Sequence, residues 1–480
     1  MTLRFAAAIL SLLMPLAAVA QRGGILADTA YARAFADVYK IDNSAFSRSV
    51  GRVSSRARAA FLREYMALMN YTAANSRENY DAYFRASDAA FGAVGGSEFE
   101  ANLLCQLHIH KCLVYLYDGS LLSGGIQFWK SYRQFKAAEE KYPGYDGQLP
   151  LRGLYNVILA QVPEKWKSLK GLLGLGEGDT AAGLRQIEAY RQRVGRTPGF
   201  ADEAMLLSFA NMFFSHEQVL SDSLLRAIRA NETPVVRYAY VLSRGRVQDG
   251  AAASEALAAS EALARRFPLL YHQMGKYALR RLQPDETIRR ARQFLSAYKG
   301  SSNRNWAYLE MAYAYKLLGD TDSARRMVDR CLAIEPRFDI DKRARAEAAL
   351  AMGLSVEMLR ARLLFEYGLF GQSLEALRGF EPVEAEVAEH VFRTARAEDK
   401  LGNADEALRQ YDRAIKLAAS STRYFAPYAA VHAADICQKR GDRAAALRYL
   451  ATARSLNNGE YKKELDQRIE LTERAVRAVN

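Results

Sequence analysis

A chain of 480 residues, half of them hydrophobic and a quarter charged, is too apolar to be a disordered segment and too long for one ordinary compact domain. A repeat array, which grows lengthwise, escapes that size limit. With only 11 prolines, abundant Ala, Leu, Arg and Glu, and no alternating Val/Ile/Thr runs, the sequence predicts an all-α protein. The formal charge of +13 is spread along the chain in groups such as Arg289-Arg290, Arg325-Arg326 and Lys342-Arg343, which reads as solvated helix faces.

In chain order, residues 1–20 read as a signal peptide. Arg4 supplies the positive start, residues 5–16 a short apolar run, and Ala18-Val19-Ala20 a cleavage site before Gln21. Gln21 stands where a lipoprotein would carry cysteine, and no later window is apolar enough to span a bilayer. The expectation is an exported protein of a Gram-negative bacterium, periplasmic or associated with the outer membrane. In that setting the basic excess points to an acidic protein, a glycan or an anionic membrane surface as partner, and not to nucleic acid.

Helices are predicted over residues 25–39, 56–72, 78–91, 98–116 and 121–141, joined by short polar turns, with Tyr142-Pro143-Gly144 ending the last. Pro163 opens a helix carrying Trp166, Leu169 and Leu172, glycines 174–178 break it, and Asp179 caps the next helix at Thr180. The run GLLGLGEGD follows a helix and lacks Gly-Lys-Ser/Thr, so it reads as an inter-helix loop and not a phosphate loop. Predicted pairs follow at 202–214 with 218–230, 234–244 with 251–267, and 269–281 with 284–298. The best-formed pair is 306–336, broken at Gly319-Asp320 and ended by Pro336. Gly371, Gly402 and Gly441 align with Gly319 as further turns at irregular spacing, and a charged helix over 461–479 caps the array.

Residues 306–336 resemble the tetratricopeptide repeat (TPR): Ala312, Tyr315, Ala324 and Pro336 match its signature in kind, and Tyr308, Met311, Val328 and Cys331 are conservative departures. A second resemblance covers residues 148–190. Gly153-Leu154-Tyr155-Asn156, Val162-Pro163, Leu-rich 169–173, glycine-rich 174–179 and Gly183-Leu184 follow the order of a eukaryotic TPR family that includes the yeast inclusion-body clearance protein of the mitochondrial outer membrane. Both resemblances imply an α-α superhelix of antiparallel helix pairs. The chain is read as a signal peptide (1–20), a divergent helical-repeat region (21–200), helical hairpins (201–300), TPR-like repeats (301–458) and a capping helix (459–480).

Short helix pairs cannot bury their apolar stripes alone, so such arrays offer a stacked surface suited to recognition. The reading is a non-catalytic scaffold, with no cofactor, that binds a protein or peptide partner through Tyr80, Tyr83, Arg304, Tyr308, Tyr424 and Tyr428. Two alternatives are a carbohydrate- or nutrient-binding outer-membrane accessory protein and a helical-toroid enzyme. No H-E-x-x-H or G-x-S-x-G occurs. No metal is assigned. Cys105, His108 and Cys112, which share one helix face, are the residues that would supply ligands, but a zinc site draws ligands from at least two segments. All four cysteines, with Cys331 and Cys437 inside repeat helices, read as buried thiols acting as small hydrophobes.

Overall fold

The computed structural model of the protein describes residues 29–162, 167–194, 233–457 and 459–478. The expected signal peptide, the helices expected over 202–214 and 218–230, and the expected helix start at Pro163 and Trp166 lie outside the described residues. Among the described residues there are 24 α-helices and no strand. The fold is an all-α superhelix of stacked, mostly antiparallel helix pairs.

The first part comprises α1 (Thr29–Tyr39), α2 (Asn43–Val50), α3 (Arg56–Ala73), α4 (Arg77–Phe91), α5 (Glu98–Tyr117), α6 (Leu121–Lys141), α7 (Leu149–Ala160), α8 (Lys167–Leu172) and α9 (Thr180–Val194). Next come α10 (Pro234–Arg246), α11 (Gly250–Ala258), α12 (Glu261–Ala264), α13 (Leu269–Arg280), α14 (Pro284–Ala297), α15 (Arg304–Leu317), α16 (Thr321–Ala333) and α17 (Asp339–Ala351). The array ends with α18 (Val356–Tyr367), α19 (Phe370–Arg378), α20 (Val387–Lys400), α21 (Ala404–Leu417), α22 (Phe425–Lys439), α23 (Arg443–Leu456) and α24 (Lys462–Ala478). Side-chain caps start many of them. Ser55 and Ser76 accept from backbone N–H groups at the heads of α3 and α4, and Ser97 with Glu100 forms a capping box on α5.

One turn recurs in at least seven described pairs. The residue two places beyond the first helix adopts positive φ, and the residue after it donates its N–H to the carbonyl five positions back at 2.8–3.3 Å. That bond is the hallmark of the Schellman motif, in which a left-handed residue lets the chain reverse while satisfying the last helical carbonyls. Gly119, Gly319, Gly402 and Gly441 hold this position as the chemistry favours, whereas Ile41, Gln248 and Leu282 hold it without being glycine. Asp42, Asp249, Asp320 and Asp442 then cap the second helix with their side chains.

Three expectations are corrected. Gly371 is not a turn residue: it lies inside α19, and the turn belongs to Gly368 at φ +104°, where an added Cβ would stand 2.1 Å from the Gln248 carbonyl oxygen. The single helix expected over 251–267 is broken around Ala259-Ser260 into α11 and the short α12. An additional helix, α17, packs on both α15 and α16, and its presence causes the widest irregularity in turn spacing.

The glycines of the 148–190 fingerprint have a packing role. A Cβ on Gly183 would lie 2.6 Å from the Gly153 carbonyl oxygen, and one on Gly153 would lie 2.9 Å from the Gly183 oxygen. Only glycine at both places lets α7 and α9 touch backbone to backbone. Asp179 caps α9 as expected, accepting from Ala182 N–H at 3.0 Å.

A continuous apolar core runs from Tyr31 to Leu363, so the early helices and the middle hairpins share one interior. Asn75, in the α3–α4 turn, clasps the loop after α14: its Oδ1 accepts from Tyr298 Oη (2.9 Å), Ser301 N (2.8 Å) and Ser302 N (3.1 Å). Tyr117 packs on Phe338 and Arg337 pairs with Asp118. The last helix returns to the body of the protein. Glu464 of α24 bonds Arg343 of α17 at 2.5 Å, and Arg474 lines a cleft with Leu159, Ala160 and Lys170 of the α7–α8 corner. All four cysteines are buried free thiols.

Candidate binding groove

The first helices of the later pairs, α13, α15, α18, α20 and α22, stack in sequence, and α17 and α24 border the same space. Side chains projecting from them are half-exposed yet crowded by protein. A charged ladder results. Arg362 of α18 reaches Glu347 of α17 at 2.7 Å and Glu366 at 3.0 Å, while Arg280 of α13 reaches Glu366 at 3.1 Å. Burial pushes the Glu366 carboxyl up, but Arg362, Arg280 and Lys276 outweigh it and hold the group down at about 2. Arg393 of α20 bonds Glu389, and Arg423 pairs with Glu460 at 3.1 Å.

Against this paired background, three cations lie on aromatic rings with no carboxylate within ion-pair distance among the described residues. Lys276 sits over Trp306 at 6.0 Å, Arg396 over Phe365 at 4.4 Å and Phe392 at 5.9 Å, and Lys400 over Phe370 at 5.7 Å. Burial pulls all three below their usual values; Arg280 adds to the effect at Lys276, Arg393 and Arg468 at Arg396, and Arg396, Lys439 and Arg468 at Lys400. Glu310, Glu366 and Glu347 oppose it at Lys276, and Asp399 opposes it at Lys400. His432 of α22, stacked on Tyr411 at 5.7 Å, is driven well below the usual histidine value by burial and then by Arg396, Arg468, Lys400 and Lys439. The α20–α22 end of the groove therefore gathers cations around a neutral imidazole, with Asp435 3.9 Å from its Nδ1 and paired with Arg468 at 2.7 Å.

The expected contact residues fall into different places. Tyr424 and Tyr428 belong to this groove: Tyr424 meets Tyr428 at 5.6 Å, Tyr461 at 5.4 Å and Phe392 at 5.9 Å. Tyr308 is half-buried with Arg330 of α16 over its ring at 6.0 Å, which places it at the seam between paired helices. Arg304 opens α15 and is half-buried. Tyr80 lies away from the groove, tilted against Phe84 at 4.7 Å with Arg77 above it, and Tyr83 is fully buried, packed on Phe84. The residues that sequence reasoning missed are Lys276, Arg362, Arg393, Arg396, Lys400 and His432. One signal was available: Arg393, Arg396 and Lys400 follow i, i+3, i+7 spacing and so share a helix stripe.

The Cys105–His108–Cys112 face performs local packing. Cys105 Sγ lies 3.3 Å from Ala101 O, and burial lifts its thiol far above the usual range, as it lifts Cys112 to about 12. His108 Nδ1 lies 2.8 Å from Gln127 Oε1, and its ring rests on Phe91. His110 points elsewhere, to a fully buried contact with Glu64 at 2.8 Å. Among the described residues no three His, Cys, Asp or Glu side chains gather as a metal's ligands would.

Beneath the groove, Asp341 of α17 is buried, accepting from Asn303 N–H at 3.1 Å. Burial lifts its carboxyl to about 6, with the Asn303 hydrogen bond and His272 opposing. Because the folded value exceeds the unfolded one, the folded state holds more protons between roughly pH 4 and 6, and stability falls as pH rises through that window. Asp341→Asn keeps the acceptor and removes the charge. It is expected to raise the unfolding free energy by about 1–2 kcal/mol near neutral pH and to change it little at about pH 4, as read by denaturant titration at both values.

No family model matches the chain, and no curated protein matches it. Among solved structures it is similar to the P58(IPK) TPR domain, at 12% identity and a TM-score of 0.22 over 87% of this chain and 98% of that one. It is also similar to the APC/C hetero-tetramer Cut9-Hcn1, at 13% identity and a TM-score of 0.26 over 91% of this chain and 95% of that one.

Proposed function

We propose that the protein is an exported, non-catalytic scaffold whose inner groove holds an acidic segment of a protein partner in the cell envelope. The observation that carries this reading is the set of groove cations, Lys276, Arg396 and Lys400, held over aromatic rings with no carboxylate within ion-pair distance among the described residues. A carboxylate-bearing peptide entering there supplies direct ion-pair partners, and Tyr424 and Tyr428 offer flat apolar faces and hydroxyls beside it. The export half of the reading rests on the residue 1–20 pattern, and the scaffold half on stacked helix pairs that present one long inner face.

Fluorescence anisotropy of acidic and charge-neutral peptides against the full chain, alongside a glycan array, tests it. Acidic peptides are expected to bind preferentially, with affinity falling as salt rises. Arg396→Ala with Lys400→Ala is expected to weaken them by roughly ten- to hundredfold at an unchanged thermal midpoint, since two charge contacts are lost. Undiminished affinity in that variant, or binding to glycans alone, overturns the reading.

A further inference from the structure

A second surface, separate from the groove, is built by α6 and the C-terminal end of α8. Leu122 and Leu172 are 79% and 83% exposed, and Leu121, Ile126 and Leu173 are exposed as well. Leu122, Ile126 and Trp129 follow i, i+4, i+7 spacing, so they form one stripe about 10 Å long on α6. The indole N–H of Trp129 donates to the Leu173 carbonyl at 3.1 Å, which fixes the C-terminal end of α8 beside that stripe. A Cβ added at Gly125, Gly171 or Gly174 would meet nothing within 4 Å among the described residues, so the face is open. Single exposed leucines need no explanation, but a contiguous set held together by a tryptophan hydrogen bond does.

The charges on α6 that border this face with no ion pair among the described residues are cations. Exposed Lys130 and Arg133 border it on α6, with the Arg133 guanidinium over the Trp129 ring at 4.9 Å. Nearby carboxylates are already engaged: Glu177 pairs with Lys170 at 3.0 Å, and Glu139 pairs with Lys136 and Arg152 at 2.7 Å. A second copy of the same face would bring like cations together, which disfavours self-association. Apolar tips with a tryptophan and a cationic border are the chemistry of a protein resting on anionic lipid. No described helix is long and apolar enough to cross a membrane, so such a contact is peripheral.

We propose that Leu122, Ile126, Trp129, Leu172 and Leu173 dock the protein on an anionic phospholipid surface. The aliphatic tips enter the headgroup region, and Lys130 and Arg133 meet lipid phosphates. This surface is independent of the groove, so peptide binding and lipid binding can fail separately.

Vesicle flotation of the full chain tests the proposal, using phosphatidylcholine alone and phosphatidylcholine with about one third phosphatidylglycerol. Binding is expected only to the anionic vesicles. Leu122→Glu with Leu172→Glu is expected to lower it by about tenfold or more at an unchanged thermal midpoint, because both positions are exposed. Lys130→Ser with Arg133→Ser leaves the apolar tips intact and is expected to weaken binding and reduce its salt dependence. Absence of vesicle binding by the parent chain, or undiminished binding by the leucine variant, overturns the proposal. So does a parent dimer, detected by light scattering and dissociated by the leucine substitutions, which would assign the face to a second copy.

Discussion

Ala407→Asp is expected to cost about 4 kcal/mol or more, enough to lower the thermal midpoint by several degrees even in a chain of this size. Ala407 is 0% exposed on α21, in a cluster with Val391, Phe392, Ala395, Tyr411 and Ala414. The small side chain is what permits α20 and α21 to approach, and Tyr411 fills the space beside it. A carboxylate there loses its water and gains no partner. It must either take up a proton or force the pair apart, and both routes subtract from stability. Ala407→Ser, which adds one oxygen able to bond back to its own helix, is expected to cost far less. Thermal unfolding followed by circular dichroism reads both. An unchanged midpoint for the aspartate variant would refute the packing register of this pair.

Asn75→Ala is expected to cost about 3 kcal/mol. One oxygen in the α3–α4 turn accepts three hydrogen bonds from residues more than 220 positions later, at a site that is 1% exposed. Truncation leaves the buried Ser302 N–H and the part-buried Ser301 N–H without that acceptor, and an orphaned buried donor is dearer than the bond it loses. Asn75→Asp retains an acceptor at the same place and is expected to be the milder change. Hydrogen exchange localises the effect: faster exchange at residues 298–303 is expected before any change in α20 to α23. Loss of protection spread evenly along the chain would contradict this assignment.

Local chemistry made much of the architecture readable in advance. Gly-Asp at 319–320 and 441–442 announces both the left-handed residue and the next helix's cap, Gly402 announces the left-handed residue without a side-chain cap from Asn403, and those turns stand where expected. The same turn at Ile41, Gln248 and Leu282 carries no glycine, so surrounding packing must hold a strained conformation that composition does not reveal. Gly371 misled because a glycine in the right neighbourhood draws attention from Gly368, whose positive φ and contact with Gln248 depend on a distant pair. Helix α17 went unread because Asp339–Ala351 mixes charge with alanine and looks like a surface stretch.

The groove was half legible for a related reason. Tyr424 and Tyr428 advertise themselves as clustered aromatics. Arg393, Arg396 and Lys400 share a stripe, but only the superhelical path decides whether a stripe faces inward or out to water. That path is a sum of small rotations at each helix contact, and no single residue encodes it.

The return of α24 to earlier helices changes how the chain should come apart. In an open array each unit leans only on its neighbours, so a free end can fray unit by unit. Here Arg343–Glu464 joins positions 121 residues apart, and Arg474 reaches the corner near Lys170. Loosening the terminus therefore also releases the middle and the beginning of the chain. The molecule should behave less like a zipper opening from its end and more like a buckled strap, quiet under mild load and then yielding in one step.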